Sequence, residues 1–404
     1  MRVWQPYFVW GVASVFVLYQ FSMQVSVAVF SKEIQTDLHA TVTSVGVLTA
    51  LFSVAYAMMQ VPVGVMLDRW SPRLLMTISA LVCAAGACVF AMSDSLVFAG
   101  LGRLLMGLGA SFSFVGASFL AGRWIPKEKF ALFVGLTEMT GVAGAAGFDL
   151  LSRYLESHVT WRTQIGVSAV FGFILAGTIW AVVRDHPADQ PPPKHTSQSN
   201  LAKSVGELVM NRQIWLVGGF YFLSMGVLLG FAGLWNATFQ YAYDLPVEEV
   251  AVANALIFLG WAIGSPVAGW LAGRYSVKKL ILVGVIGHLV VTGAIFFTGM
   301  LPLGVIYLLR FGFGLFGGMN ILAFAVAGRA APASLSGTAL GIINTMGFAG
   351  VTLLQTFPGL LLAGDTQAHG WPEMAHALTI YLGALTIAAI FACMLKDPNR
   401  ESEQ

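Results

Sequence analysis

Long hydrophobic runs, separated by short polar stretches, recur along the whole chain. A helix needs roughly 20 mostly apolar residues to cross about 30 Å of hydrocarbon, and the sequence offers twelve such runs. Backbone polar groups cannot go unpaired in lipid, and the runs are too long and continuous for barrel strands, so each is predicted to be an α-helix. The predicted spans are 5–30, 43–67, 74–93, 97–120, 131–151, 164–183, 214–238, 250–272, 280–299, 303–328, 337–363 and 377–395.

The composition excludes a soluble fold. Hydrophobic residues make up 57% of the chain and charged residues 10%, and the mean hydropathy is +0.78. We therefore predict an all-α integral membrane protein. Cys83, Cys88 and Cys393 fall inside predicted spans, so no disulfide framework is indicated. A net charge of +2 gives no reason to expect a nucleic-acid partner.

A motif between spans 2 and 3 returns about 205 residues later. The segment GVMLDRWSPR at 64–73 matches GWLAGRYSVK at 269–278, between spans 8 and 9. Arg103 and Arg310, each followed by a glycine four positions on, correspond in the same way. Two six-helix bundles are therefore predicted as parallel repeats, an arrangement typical of secondary transporters whose substrate site lies between the halves.

The bundles are predicted to occupy residues 1–183 and 214–404 and to be joined by a cytoplasmic linker at 184–213. The linker is rich in Pro and Ser, which is typical of a semi-extended tether, and a short surface helix is expected around Ala202 to Val209.

The distribution of Lys and Arg predicts the orientation. With an even number of spans both termini share a side, and 16 of the 21 basic residues fall on that side. The opposite side carries only Lys32, Arg153 and Arg162. Cytoplasmic loops are enriched in positive charge, so both termini are predicted to be cytoplasmic in a multi-pass protein of the inner (plasma) membrane of a bacterium.

The chain resembles the major facilitator superfamily over its whole length. The resemblance lies in the twelve spans, the G-x-x-x-D-R-x-S-x-R loop at 64–73 with its degenerate copy, and Arg103-x-x-x-Gly107 on span 4. The resemblance implies alternating access by a monomer without a cofactor. It also implies that spans 1, 2, 4, 5, 7, 8, 10 and 11 line the cavity and that spans 3, 6, 9 and 12 face lipid.

The drug-antiporter branches are similar but carry a Gly-Pro pair on span 5, where this chain has no Pro between Gly141 and Gly147. The segment from Tyr19 to Ser26 resembles metabolite/proton symporters instead. Proton-coupled uptake is the expectation, and export or antiport of small amphipathic compounds or siderophore-like solutes is the alternative.

The loop motif has a physical interpretation as a gate. Asp68 is expected to meet the positive N-terminal end of a helix from the other half and to hold the cytoplasmic side shut. Gly64 permits close helix approach, while Arg69 and Arg73 bind lipid phosphates or local carboxylates, or only enforce topology. The gate motif of the second half comprises Gly269, Arg274 and Lys278, and Gly273 replaces the carboxylate there.

Charges inside the membrane are costly and therefore need a reason. Arg103 and Arg310 lie inside spans 4 and 10, where each is expected to hold a carboxylate, to form a structural pair or to snorkel. Glu138 on span 5 is the candidate proton carrier, with a fixed ion pair or hydrogen bond as the structural interpretation and Asp149 and Glu33 as alternative carriers. We expect Arg103 to serve proton coupling and Arg310 to contact substrate.

Polar and aromatic residues on the spans expected to line the cavity are the candidate substrate-binding set, although each alone is also typical of helix packing. The set is Tyr19, Gln20, Gln24, Trp235, Asn236, Trp261, Arg310 and Asn320. His288 is discounted because it lies on span 9, which is expected to face lipid.

No hydrolase elbow, His-Glu-x-x-His pair or phosphate-binding loop is present, so enzyme and ATP-driven pump are excluded. A non-transporting membrane sensor is the second class, but such proteins usually carry a signalling domain or long tail. Two intramembrane arginines against one clearly buried carboxylate favour an anionic or zwitterionic solute. The expected partners are this small molecule, protons and membrane lipids.

Overall fold

The computed structural model describes residues 4–187, 206, 208–299, 301–362 and 370–397, and no strand occurs among them. Twelve helices long and apolar enough to span a membrane are present in this part, which confirms the predicted fold class. They are α1 Gln5–Val29, α2 Val42–Arg69, α3 Pro72–Ala91, α4 Leu96–Trp124, α5 Lys127–Leu155, α6 Trp161–Val182, α7 Arg212–Tyr241, α8 Val247–Ala272, α9 Val277–Phe297, α10 Leu303–Ala330, α11 Ala333–Leu362 and α12 Trp371–Met394. The largest boundary difference is at α12, which begins at Trp371 instead of 377.

Helix starts follow local capping chemistry. Ser71 and Ser276, which are equivalent in the repeated motif, accept hydrogen bonds from Leu74 N and Lys279 N at 3.2 Å each and so cap α3 and α9. Pro72 occupies the first turn of α3, where its missing N–H costs nothing. The motif therefore also fixes where the helix after each loop begins.

Four spans have a break inside them, and one of these, α12, is interrupted at Thr379. The helix of α4 is interrupted at Ser111, and that of α10 passes through a 3₁₀ turn at Met319–Ile321. In α7 a π-helical turn occupies Phe231–Trp235, directly before Asn236. π-Turns inside helices often lie at functional sites, because the extra residue re-aims the side chains that follow.

The chain divides into two compact units. The first consists of Met1–Lys127, Thr140–Leu201 and Ser334–Gly341, and the second of Glu128–Met139, Ala202–Ala333 and Ile342–Gln404. The N-terminal residues of α11 thus belong to the first unit and those of α5 to the second. The predicted linker at 184–213 and its surface helix lie largely outside the described residues.

Glycine permits close helix packing at equivalent places in both units. A Cβ at Gly107 of α4 would overlap the carbonyl oxygen of Phe52 in α2, and a Cβ at Gly314 of α10 would overlap that of Ile257 in α8. The two glycines are the repeat partners that follow Arg103 and Arg310 in sequence, so the small residue lets each arginine-bearing helix lie against its neighbour.

Candidate functional site

Asp68 lies against the N-terminus of α11. Its Oδ1 accepts a hydrogen bond from Gly337 N at 2.8 Å, and its Oδ2 accepts two from Thr338, from the backbone N and from Oγ1, at 2.7 Å each. Gly64 lies one turn earlier on α2, where a Cβ would overlap the Gly337 carbonyl. A carboxylate therefore satisfies N–H groups that the first turn of a helix leaves without partners.

The rest of the first motif is held by Asp185, just after α6. Asp185 Oδ1 accepts from Ser71 Oγ at 2.8 Å and from Arg73 N at 3.0 Å. The Arg73 guanidinium donates through Nε to the Trp180 carbonyl at 2.7 Å and lies 3.9 Å above the Trp180 ring. Sequence reasoning did not single out Asp185, and for Arg69 the described residues give no hydrogen bond or ion pair.

The second motif repeats this arrangement without the carboxylate of Asp68. A Cβ at Gly269 would overlap the Ala131 carbonyl of α5, and the Arg274 guanidinium lies 4.1 Å above the Trp270 ring. Ser276 Oγ donates to Asp397 Oδ2 just after α12, as Ser71 does to Asp185. Lys278 has no hydrogen bond or ion pair within the described segments.

Arg103 is fully buried and donates from all three of its nitrogens to neighbouring helices. Nε donates to Leu48 O at 3.1 Å, Nη1 to Met23 O at 2.8 Å and to Ser26 Oγ at 3.3 Å, and Nη2 to Gln24 O at 3.3 Å. Backbone carbonyls of α1 and α2 thus take the place of a carboxylate. This geometry favours the structural interpretation of Arg103.

Arg310 is only 3% exposed, but its guanidinium is used differently. Nε donates to Asn236 Oδ1 at 2.8 Å, and Asn236 Nδ2 in turn donates to Asn254 Oδ1 at 3.0 Å. Nη1 and Nη2 donate no hydrogen bond to any described residue. The Phe231 ring centroid lies 5.8 Å from the guanidinium carbon. One edge of this buried cation is therefore free to bind another group.

Glu138 is 4% exposed and has no hydrogen bond or ion pair with any residue in the described part of the chain. The fixed partner that the structural interpretation requires is thus missing. Of the alternative carriers, Asp149 forms an exposed ion pair with Arg153 at 3.1 Å. Glu33 lies on the short helix Ser31–Asp37 after α1, outside the twelve spans.

Gln20 and Gln24 form a polar pair on α1. Gln20 Nε2 donates to Gln24 Oε1 at 2.7 Å, and Ser113 Oγ donates to Gln20 Oε1 at 3.4 Å. Tyr19 is not brought together with them. Its ring packs against Phe171 of α6 at a centroid distance of 5.8 Å, because one residue along a helix turns a side chain by about 100°.

The remaining candidates lie in the second unit. Asn236 contacts Arg310 directly, whereas Trp235 Nε1 donates to the Gln355 carbonyl of α11 at 2.8 Å. Asn320 Nδ2 donates to Met225 Sδ at 3.6 Å, and Trp261 is buried on α8. Arg310 and Asn236 are thus the members of the predicted set that form one cluster here.

Sequence reasoning missed several polar residues of this cluster. Asn254, Gln240 and Tyr243 surround Asn236 and Arg310, and the π-turn that precedes them leaves no hydrophobicity signal. His288 lies on the inner face of α9, since it is 1% exposed and its ring lies 4.4 Å from the Phe313 ring of α10. Its exclusion from the substrate-binding set stays a prediction. Within the described segments, no group of three or more His, Cys, Asp or Glu residues is placed to hold a metal.

Comparison with known proteins places this geometry in a family. The sequence profile described as "Major Facilitator Superfamily" matches residues 12–354. A relative from Bacillus subtilis (strain 168), the "Nitrite extrusion protein", is 20% identical over 360 residues, covering 87% of this chain and 85% of the relative.

Two solved structures have the same fold. The proton:xylose symporter XylE, bound to 6-bromo-6-deoxy-D-glucose, superposes with a TM-score of 0.73 at 12% identity, covering 97% of this chain and 96% of XylE. A variant of the E. coli fucose:proton symporter FucP superposes with a TM-score of 0.71 at 16% identity, covering 97% and 99%. Because the family profile spans most of the sequence and the twelve-helix fold agrees with it, the chain belongs to the Major Facilitator Superfamily of transporters.

Proposed function

We propose that this transporter takes up a small anionic or zwitterionic metabolite together with protons by alternating access. The observation that carries the proposal is a pair of buried, opposite charges, Glu138 and Arg310, neither of which has an ion-pair partner among the described residues. Burying an unpaired charge is costly, so we infer that each group binds a partner transiently during the transport cycle. For a carboxylate that partner is a proton, and for a guanidinium it is an anion.

Glu138 has the surroundings that proton carriage requires. A buried carboxyl without hydrogen-bond donors favours the protonated form, and contact with water or a cation favours the charged form. A transporter that exposes this residue alternately to the two sides would load and unload a proton at it. Asp149 is less suited, because Arg153 holds it as an exposed ion pair.

Of the two intramembrane arginines, Arg310 is the better candidate for binding the substrate. Arg103 already donates through all its nitrogens to α1, α2 and Ser26, while Arg310 keeps Nη1 and Nη2 available. A guanidinium edge with two parallel N–H groups matches a carboxylate. Asn236 would add a neutral hydrogen bond to a polar solute at Arg310, while Gln20 and Gln24 of the first unit stay predicted substrate-binding residues. A role for Arg103 in proton coupling stays a prediction from the repeat.

The contact of Asp68 with Gly337 and Thr338 supports a gating role. It joins α2, from the first sequence repeat, to α11, from the second, at the ends predicted to be cytoplasmic. Breaking and re-forming this contact would open and close that side once per cycle. We further propose that the protein works as a monomer with cytoplasmic termini in a bacterial inner membrane.

Reconstitution into proteoliposomes tests the coupling. A thermal-shift screen against organic acids, amino acids and small peptides first identifies a substrate, because a ligand stabilises the state it binds. An inward proton gradient should then drive uphill uptake of that compound by the wild-type protein. Glu138→Gln should abolish accumulation but retain substrate exchange, and the exposed Glu156→Gln should behave as wild type. Accumulation by Glu138→Gln at the wild-type rate would place the proton site elsewhere.

The direction of transport has a second candidate. The relative from Bacillus subtilis is called a nitrite extrusion protein, which favours export of a small anion as the alternative to uptake. The same proteoliposomes separate the two, since symport accumulates substrate on the alkaline side and proton antiport depletes it there.

A further inference from the structure

A small pocket lies beside Arg310, entirely within the second compact unit. It is bounded by the segment after α7, the end of α9 and the first turns of α10. Apart from Tyr243 and Arg310, the lining side chains are apolar. Representative lining residues are Leu245, Ile295, Leu301, Ile306 and Leu309. The site is apolar with two polar groups, and its volume of about 10 Å³ is room for roughly one water molecule, so it can enclose the end group of a ligand but not a whole small molecule.

Two turns in the left-handed region shape this pocket. Asp244, directly after Tyr243, has φ of 58°, a conformation that Asp tolerates better than most side chains. Gly299 has φ of 69° and forms part of the lining itself. The backbone turns sharply at both places, which fixes the walls on either side of Arg310.

Tyr243 presents an unused hydroxyl. The residue is 8% exposed, and its Oη has no hydrogen-bond partner in the part of the chain that the structure describes. Its ring is held by stacking on Trp371 at 5.5 Å and by an edge contact with Phe239 at 5.2 Å. Burial raises the pKa of the Tyr243 phenol above its usual value, and the nearby charge of Arg310 lowers it by less. The hydroxyl therefore stays protonated near neutral pH and can donate.

Arg310 completes the donor set. Nε is fixed by Asn236, so the orientation of the guanidinium is set by a hydrogen bond on one side only. Among the described residues, Nη1 and Nη2 have no acceptor and no carboxylate lies within ion-pair distance of them. A buried cation with two free NH₂ groups and a buried hydroxyl beside it has lost its hydration without gaining an anion in return.

We propose that Nη1 and Nη2 of Arg310 and Oη of Tyr243 together bind one carboxylate group of a small organic acid in this pocket. This inference rests on the proposed function and deepens it: it names the substrate group that Arg310 recognises, and it adds Tyr243 to the substrate-binding residues. The two guanidinium donors meet the two carboxylate oxygens in parallel, and the phenol donates a third hydrogen bond. The apolar walls exclude water and strengthen these contacts.

Binding to the purified wild-type protein, with no gradient and no vesicles, tests the inference separately from transport. Thermal unfolding is followed during titration with sodium acetate, with acetamide as the uncharged molecule of the same shape. Acetate should raise the unfolding temperature in a saturable way and acetamide should not. Tyr243→Phe should weaken acetate binding roughly tenfold, because one charge-assisted hydrogen bond is lost. Arg310→Lys should weaken it at least as much, since the planar fork is lost.

Tyr241→Phe is the matched control, because Tyr241 lies two residues away and is 48% exposed. It should bind acetate as wild type does. Equal acetate affinity in wild type, Tyr243→Phe and Arg310→Lys would overturn the inference, as would stabilisation by acetamide equal to that by acetate. Stabilisation by phosphate without any by acetate would overturn the assignment of a carboxylate. A failure of proton-driven uptake in proteoliposomes would leave all these results unchanged and would count against the proposed function alone.

Discussion

Asp68→Asn removes the charge from the contact between α2 and the N-terminus of α11. Asn can still accept one or two of the three hydrogen bonds through its single oxygen, but its NH₂ group faces the N–H donor of Gly337 or Thr338 and cannot accept from it. The substitution thus loses one or two charge-assisted bonds and the favourable interaction with the helix dipole. These contributions amount to about 1 to 2 kcal/mol.

A loss of this size changes the equilibrium between closed and open cytoplasmic gates by roughly 5- to 30-fold in favour of the open gate. The variant should therefore populate inward-open states more. The assay replaces Cys83, Cys88 and Cys393 and introduces single cysteines at the predicted extracytoplasmic ends of α1 and α7. Alkylation of these cysteines by a membrane-impermeant maleimide should be slower in Asp68→Asn than in the parent.

Asp94→Asn is the matched control, since Asp94 is an exposed carboxylate in the turn between α3 and α4. It should leave alkylation rates unchanged. The reasoning is refuted if Asp68→Asn reacts at the parental rate on both faces, provided that its unfolding temperature shows that the protein is folded.

The other predictions concern single side chains. Arg310→Lys should weaken the apparent affinity for an anionic substrate, whereas Arg103→Lys should mainly change the pH dependence of transport; identical affinity profiles across pH would end this division of roles. Gly64→Ala should destabilise the protein by about 1 to 3 kcal/mol, because the added Cβ overlaps the Gly337 backbone. Gly11 has open space around it, so Gly11→Ala should not destabilise the protein. Equal unfolding temperatures of the two variants would contradict this. Asp185→Asn should lower the unfolding temperature, because it weakens the acceptor that Ser71 Oγ and Arg73 N share. An unfolding temperature equal to that of the wild type would show that the contact contributes little.

Most of the fold could be predicted because membrane spans depend on hydrophobic length, which is a local property of sequence. The same local signal cannot show a break inside a span. The π-turn at Phe231–Trp235 and the interruption at Ser111 lie in apolar segments whose hydropathy does not change there. A helix cap is easier to predict from sequence, because Ser71 and Pro72 together are a typical start of a helix.

The contact of Asp68 could be expected from chemistry, since a carboxylate at the end of one helix is stabilised by the start of another. Which helix it meets is a property of the fold. The two intramembrane arginines show most clearly what the sequence cannot predict. Arg103 and Arg310 are equivalent in sequence, yet one faces backbone carbonyls and the other faces Asn236 and an open pocket. Neighbours distant in sequence decide this.

The direction in which a side chain points within its helix is also decided by the fold. Tyr19 and Gln20 are adjacent, so they point in directions about 100° apart, and Tyr19 packs on Phe171. Span 9 is expected to face lipid, but the face of α9 that carries His288 packs against Phe313. A helix that borders lipid still has an inner face.

If protons move with an anionic substrate through Glu138, entry of the substrate must carry protons into a vesicle. Proteoliposomes containing the wild-type protein enclose a pH-sensitive dye, and the organic acid identified by thermal shift is added outside at equal internal and external pH. Empty liposomes correct for passive entry of the acid. We expect internal acidification in the wild type, none in Glu138→Gln, and retained exchange of labelled substrate in both. Substrate entry without acidification in the wild type, or unchanged acidification in Glu138→Gln, would contradict it.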